Sequence, residues 1–166
     1  IGIMRTLGNM RIYGPGDPTE VEVLTESALA HIGPVYLRLG KAGEPRIQDD
    51  KSKIISGKAF VIQEGKDITL IGTSTLLYRA YEVAKKLKLK FGISVKLMSM
   101  HTIKPLDEEV IIASARTTKA IFTIEEHSII GGLGSAVAEV LAENNISILF
   151  KRIGVPDRFT KVIGKQ

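Results

Sequence analysis

A mostly parallel α/β fold with an antiparallel edge is predicted by three features of the sequence. Short β-branched apolar runs alternate with amphipathic stretches of helical period. The helical stretches are numerous enough to cover both faces of one sheet. Residues 120–141, A-I-F-T-I-E-E-H-S-I-I-G-G-L-G-S-A-V-A-E-V-L, read as strand, polar loop, glycine turn and helix. That junction forms at the carboxyl end of a strand in an open α/β sheet, where ligand and partner contacts gather.

The elements follow in chain order. Residues 10–13, M-R-I-Y, form a short strand, and G-P-G-D-P at 14–18 is turn chemistry. Asp17 or Thr19 caps the next helix, with Pro18 in its first turn. Val21, Leu24, Ala28 and Leu29 give that helix an apolar face, and Gly33-Pro34 stops it. Residues 35–39, V-Y-L-R-L, are the next strand. Residues 1–43 thus hold one strand–helix–strand unit, which cannot bury both faces of its sheet alone. They read as the incomplete tail of a larger α/β domain. A polar linker with Gly and Pro spans 44–57. A complete second domain is expected over 58–166. Runs at 59–62 and 68–71 flank E-G-K-D and read as a hairpin. Thr73, Ser74 or Thr75 caps a helix to about residue 90, whose apolar face is Leu76, Leu77, Ala80, Val83, Ala84 and Leu87. A strand at 93–98 follows, then Asp107 as N-cap of a helix over 108–115. The strand at 120–124 and a helix from Ser135 to about residue 143 precede a last strand at 146–150.

The glycines Gly131, Gly132 and Gly134 admit two readings. Helix-start N–H groups there can hold an anion, or the glycines permit a tight turn and close helix–strand packing. The second is preferred, because G-G-L-G-S lacks the spacing of a P-loop or a dinucleotide fingerprint. Glu125, Glu126 and His127 are either an acid/base group or part of a loop that packs on a neighbouring domain or subunit. The second is again preferred, since no metal-ligand spacing accompanies them.

Composition narrows the class. The chain has 166 residues, enough to bury about 70% of its unfolded surface without staples. Cys is absent, which excludes disulfides, thiolate metal sites and a cysteine nucleophile, and fits a reducing compartment. No apolar run reaches the ~18 residues of a membrane span, and no signal peptide is visible, so a cytoplasmic location and no membrane partner are expected. The net charge is +5. Its main cluster, Lys85, Lys86, Lys88 and Lys90, sits at a helix end where cations complement the dipole. Few aromatics accompany it, so no nucleic-acid partner is expected, while the charge leaves anionic small substrates open. Ile1 in place of Met is not a normal translation start, so something upstream of it is expected to have been removed or lost in processing.

Four stretches together resemble one family. They are R-T-L-G-N-M at 5–10 with G-P-G-D-P-T-E at 14–20, H-I-G-P-V-Y-L-R-L-G at 31–40, K-P-L-D at 104–107, and the stretch 125–137. In this order they resemble the C-terminal part of transketolases, especially the separate C-terminal subunits of split transketolases. The resemblance implies the end of a pyrimidine-binding domain over 1–43 and a transketolase C-terminal domain over 58–166. It implies thiamine diphosphate and Mg2+ as cofactors, both bound mainly outside this chain. The family's catalytic glutamate falls upstream of Arg5, so this chain alone is expected to be inactive. An N-terminal subunit or domain is the implied partner, in a homodimer or a two-plus-two heterotetramer. The implied reaction moves a two-carbon ketol unit between sugar phosphates. Arg38 matches the family arginine that binds the sugar phosphate, a role suited to the fixed fork of a guanidinium. Arg5 matches a position that faces substrate in deoxyxylulose phosphate synthases and is structural or substrate-facing in transketolases. Gly8 replaces a family Pro, and Ile3 replaces a substrate-contacting His. His31, His101 and His127 match no family catalytic histidine. Deoxyxylulose phosphate synthase, the beta chain of a 2-oxoacid dehydrogenase, and a non-catalytic dimerisation module are the competing readings.

Overall fold

A computed structural model describes residues 1–41 and 43–159. The chain builds two sheets. The larger has the order β3-β5-β4-β7-β8, and the smaller β2-β1-β6. In the larger sheet β4 (Ile68–Gly72), β5 (Val95–Ser99), β7 (Ala120–Ser128) and β8 (Leu149–Val155) run parallel. β3 (Phe60–Gln63) is the antiparallel edge, on β5.

Side-chain alternation along the parallel strands divides the core. Ile71, Met98 and Ile121 face α4 (Glu108–Thr117) and α5 (Leu133–Glu143), and they pack with Ile111, Leu133, Val137, Val140 and Leu141. Leu70, Val95 and Leu97 face α3 (Leu77–Phe91). Ala80 and Ala84 are fully buried on that helix surface, small enough to bring it close to the sheet.

The smaller sheet joins the two halves of the chain. β1 (Arg11–Tyr13) and β2 (Val35–Leu37) are parallel and connected by α2 (Pro18–Ala30). β6 (Thr102–Lys104), which follows β5, pairs antiparallel with β1. Ile12 and Ile103 are buried between them. Asp17 caps α2 by accepting from the Glu20 N–H at 2.9 Å, and Glu20 returns a carboxylate to the Gly16 N–H at 2.7 Å. This is a capping box shifted by one residue.

Several expectations are corrected. β3 and β4 are not a hairpin, because β5 lies between them. The 64–67 loop crosses the start of β5: Lys66 N–H donates to Ser94 Oγ, and Ser94 N–H to Asp67 Oδ2 at 2.8 Å. A Cβ on Gly65 would overlap the Val95 carbonyl carbon and the Lys96 nitrogen, so the crossing requires glycine. None of Thr73, Ser74 and Thr75 caps α3, which begins after a 3-10 turn at Ser74–Leu76 with no side-chain cap. Asp107 occupies the N-cap position of α4 but turns its carboxylate to the Ala59 N–H at 2.9 Å. α2 buries Thr19, Glu20 and Leu24, whereas Leu29 is 84% exposed, on a flank that the three-stranded sheet does not reach. The last strand starts at Leu149, later than expected, since Asn144 and Asn145 take up a longer turn. Among the described residues no helix is long and apolar enough to cross a membrane.

Candidate functional site

β4 connects through α3 to β5 on one side, while β7 lies on its other side, so the sheet's switch point falls between the carboxyl ends of β4 and β7. In open α/β sheets this crevice holds ligands. Here the first part of the chain enters it. Gly14 O accepts from the Ser74 N–H and the Thr73 hydroxyl, both at 3.0 Å, and the Gly14 N–H donates to His101 O at 2.8 Å. Arg38 follows β2 into the same region, its N–H bonded to Tyr13 O at 2.8 Å.

Residues 125–128 are strand rather than loop, because β8 continues to pair with β7 as far as Ser128 across a register shift. Alternation then parts the two glutamates. Glu125 continues the inward series of Ile121 and Thr123 and is 1% exposed. Its two carboxylate oxygens accept from the Leu133 and Gly134 N–H groups, each at 2.8 Å. The anion at this helix start is therefore the chain's own, and the glycines serve packing: a Cβ at Gly132 would overlap the Glu125 carboxylate. Glu126 points to the opposite face. Its Oε2 accepts from the Thr75 hydroxyl at 2.7 Å, and Arg38 Nη2 donates to its main-chain O at 3.0 Å. The Arg38–Glu126 charges lie 3.7 Å apart.

Arg38 and Arg5 reach the same stretch from the first part of the chain. Arg38 is half-buried, and its Nε and Nη1 have no partner among the described residues. Arg5 is closed within the chain: it donates to Gly131 O at 3.0 Å and to Gly132 O, and its guanidinium pairs with Glu139. His127 donates through Nδ1 to Ser128 O at 2.8 Å and accepts from the Gly2 N–H at Nε2. Glu125 and His127 are thus both engaged, and the stretch docks on the first part of the chain. His101 is fully buried between β5 and β6, and burial lowers its pKa to about 4, against the pull of Asp17 and Asp107. Glu20, also buried, is raised to about 7 by burial, opposed by the bond it accepts from the Gly16 N–H. His31 ends α2.

The described residues do not fit thiamine diphosphate or Mg2+. No group of three or more His, Asp or Glu among them is placed to hold a metal. The helix start that could cradle a diphosphate is filled by Glu125. Sequence reasoning missed the Glu125 cap and the Arg38–Glu126–Thr75 set. The alternation of residues 121–126 was the available signal for the first, while the second joins residues 88 apart.

Comparison with known proteins gives a consistent picture. The family model "Transketolase, C-terminal domain" matches residues 57–163. A 6-deoxy-6-sulfo-D-fructose transketolase subunit of Clostridium sp. (strain MSTE9) is 39% identical over 98% of this chain and 50% of its own length. An apulose-4-phosphate transketolase subunit of Actinobacillus succinogenes is 36% identical over 95% of this chain and 50% of its own length. A 1-deoxy-D-xylulose-5-phosphate synthase of Symbiobacterium thermophilum is 34% identical over 96% of this chain and 25% of its own length. A split-gene transketolase solved as an inactive beta4 tetramer superposes with a TM-score of 0.89 at 40% identity, over 94% of this chain and 52% of that one. The chain spans about half the length of the transketolase subunits it matches. On the family match over residues 57–163 and these relatives, the chain belongs to the transketolase family, as a C-terminal domain of the kind found in split transketolases.

Proposed function

We propose that this chain is the C-terminal part of a transketolase that moves a two-carbon ketol unit between sugar phosphates. Thiamine diphosphate and Mg2+ are then held by an N-terminal subunit or segment, in a dimer or a two-plus-two assembly, and this chain alone is inactive. Arg38 grips the terminal anion of the sugar. The observation that carries this is the half-engaged guanidinium at the switch-point crevice: one nitrogen is anchored on Glu126 O, and Nε and Nη1 have no partner among the described residues. A fork fixed at one corner presents its other donors in a defined plane. Arg5, whose donors go to the 131–132 carbonyls and Glu139, supports the loop beside it.

The test combines the chain with its N-terminal partner, thiamine diphosphate and Mg2+, and assays two-carbon transfer. Arg38→Ala raises KM for a phosphorylated acceptor about 100-fold, the loss of a charge-assisted pair of roughly 2–3 kcal/mol. KM for the unphosphorylated aldehyde stays within about twofold, the behaviour of a purely binding group. Equal effects on both acceptors would remove Arg38 from this role. A second reading, deoxyxylulose phosphate synthesis, is supported by the Symbiobacterium relative. Supplying pyruvate in place of a ketose donor separates the two.

A further inference from the structure

Arg38 is held by two different parts of Glu126. Its Nη2 is bonded to the Glu126 main-chain oxygen at 3.0 Å, and that bond aims the guanidinium. The Glu126 carboxylate is 3.7 Å from the same nitrogen, outside hydrogen-bond range, so what it adds is charge. That charge is fixed in place, because the Thr75 hydroxyl donates to Oε2 at 2.7 Å. Thr75 in turn abuts Gly40, two residues beyond Arg38, where a Cβ would meet its methyl group at 2.7 Å. Nε–H and Nη1–H leave the guanidinium on different edges, so an anion takes one of them; accepting from Nη1, it would sit roughly 7 Å from the fixed carboxylate, given ordinary hydrogen-bond lengths.

We propose that Glu126 is a specificity-determining residue that sets the charge of the terminal anion Arg38 accepts, disfavouring a phosphate dianion relative to a monoanionic isostere such as a sulfonate. The inference rests on Arg38 being the anion grip. Coulomb repulsion scales with ligand charge. At about 7 Å, with an effective dielectric between roughly 40 and 80, the second negative charge of a phosphate weakens binding about three- to sevenfold. A phosphate monoester carries that charge at pH 8, since its second pKa is about 6. A sulfonate never does.

The experiment uses the assembled enzyme at pH 8 with three acceptors of equal carbon skeleton: glyceraldehyde 3-phosphate, its sulfonate isostere and glyceraldehyde. Glu126→Gln keeps the main-chain anchor and an oxygen for Thr75 but removes the charge. It is expected to lower KM for the phosphate relative to the sulfonate about three- to sevenfold, with kcat unchanged. Arg38→Ala raises KM for both anions and not for glyceraldehyde. If Arg38→Ala behaves so and Glu126→Gln leaves the phosphate-to-sulfonate ratio unmoved, this inference is overturned and the role of Arg38 stands. If Arg38→Ala affects all three acceptors alike, the role of Arg38 fails, and the inference with it. Should Glu126→Gln disturb assembly, Thr75→Val removes the hydroxyl bond to Oε2 and keeps the charge. A smaller shift of the ratio in the same direction supports the proposal, and an unchanged ratio overturns it.

Discussion

A single buried carboxylate closes the amino end of α5. Glu125 faces two N–H groups that have no other acceptor inside the helix, and it also meets the positive end of the helix dipole. Glu125→Gln keeps the size but points an amide N–H at one of those donors. The expected cost is about 2–3 kcal/mol, the penalty for an unsatisfied buried donor plus a lost charge-assisted bond. Urea denaturation of the purified variant measures it, and a midpoint equal to that of the unmodified chain would exclude the capping role. How far side-chain roles could be read from sequence is clear from a comparison with Asp17. The D-x-x-E of residues 17–20 announces a capped helix because both partners lie within one turn. Glu125 reaches forward to 133 and 134 from inside a strand, so it resembles no local motif. Arg38 and Glu126 are further apart still, and only the tertiary fold brings them together.

At the scale of elements, the crossing of the 64–67 loop over β5 decides the sheet order. Two apolar runs a few residues apart look alike whether they pair directly or admit a third strand between them, since periodicity reports burial and not partnership. What separates the cases here is Gly65, whose missing side chain lets one backbone lie on another. Gly65→Ala should destabilise the chain by about 2–4 kcal/mol, because main-chain atoms of Val95 and Lys96 cannot move aside as a side-chain tip would. Hydrogen exchange should show the loss first at the β3–β5 edge, and unchanged protection there would contradict the crossing. The length of β7 was hidden for a related reason. Its apolar run ends at Ile124, but the strand goes on through E-E-H-S because the glutamates find partners on opposite faces and β8 pairs as far as Ser128.

The whole molecule is organised by the meeting of its two sheets, where Glu20 and His101 are buried within 1% of full enclosure. Both resist charging there, and the signs of their effects differ. Folded Glu20 holds its proton up to about pH 7 against an ordinary 4.5, so its contribution is present below pH 4.5 and is lost as pH rises through about 7. Folded His101 gives up its proton at about 4 against an ordinary 6.5, so its contribution is present above pH 6.5 and is lost as pH falls through about 4. Each shift corresponds to stability on the order of 3 kcal/mol. Between pH 4.5 and 6.5 the slopes oppose, and the unmodified chain should show a nearly flat profile there that declines towards 7. Substitution separates them. Glu20→Gln should leave a profile that rises from pH 4 to 6.5, and His101→Gln one that falls from 4.5 to 7. Urea midpoints taken at intervals from about pH 4 to 8 distinguish these shapes. Profiles that stay parallel in all three proteins would mean that neither group titrates differently in the fold, and that the junction is more open to water than its burial implies.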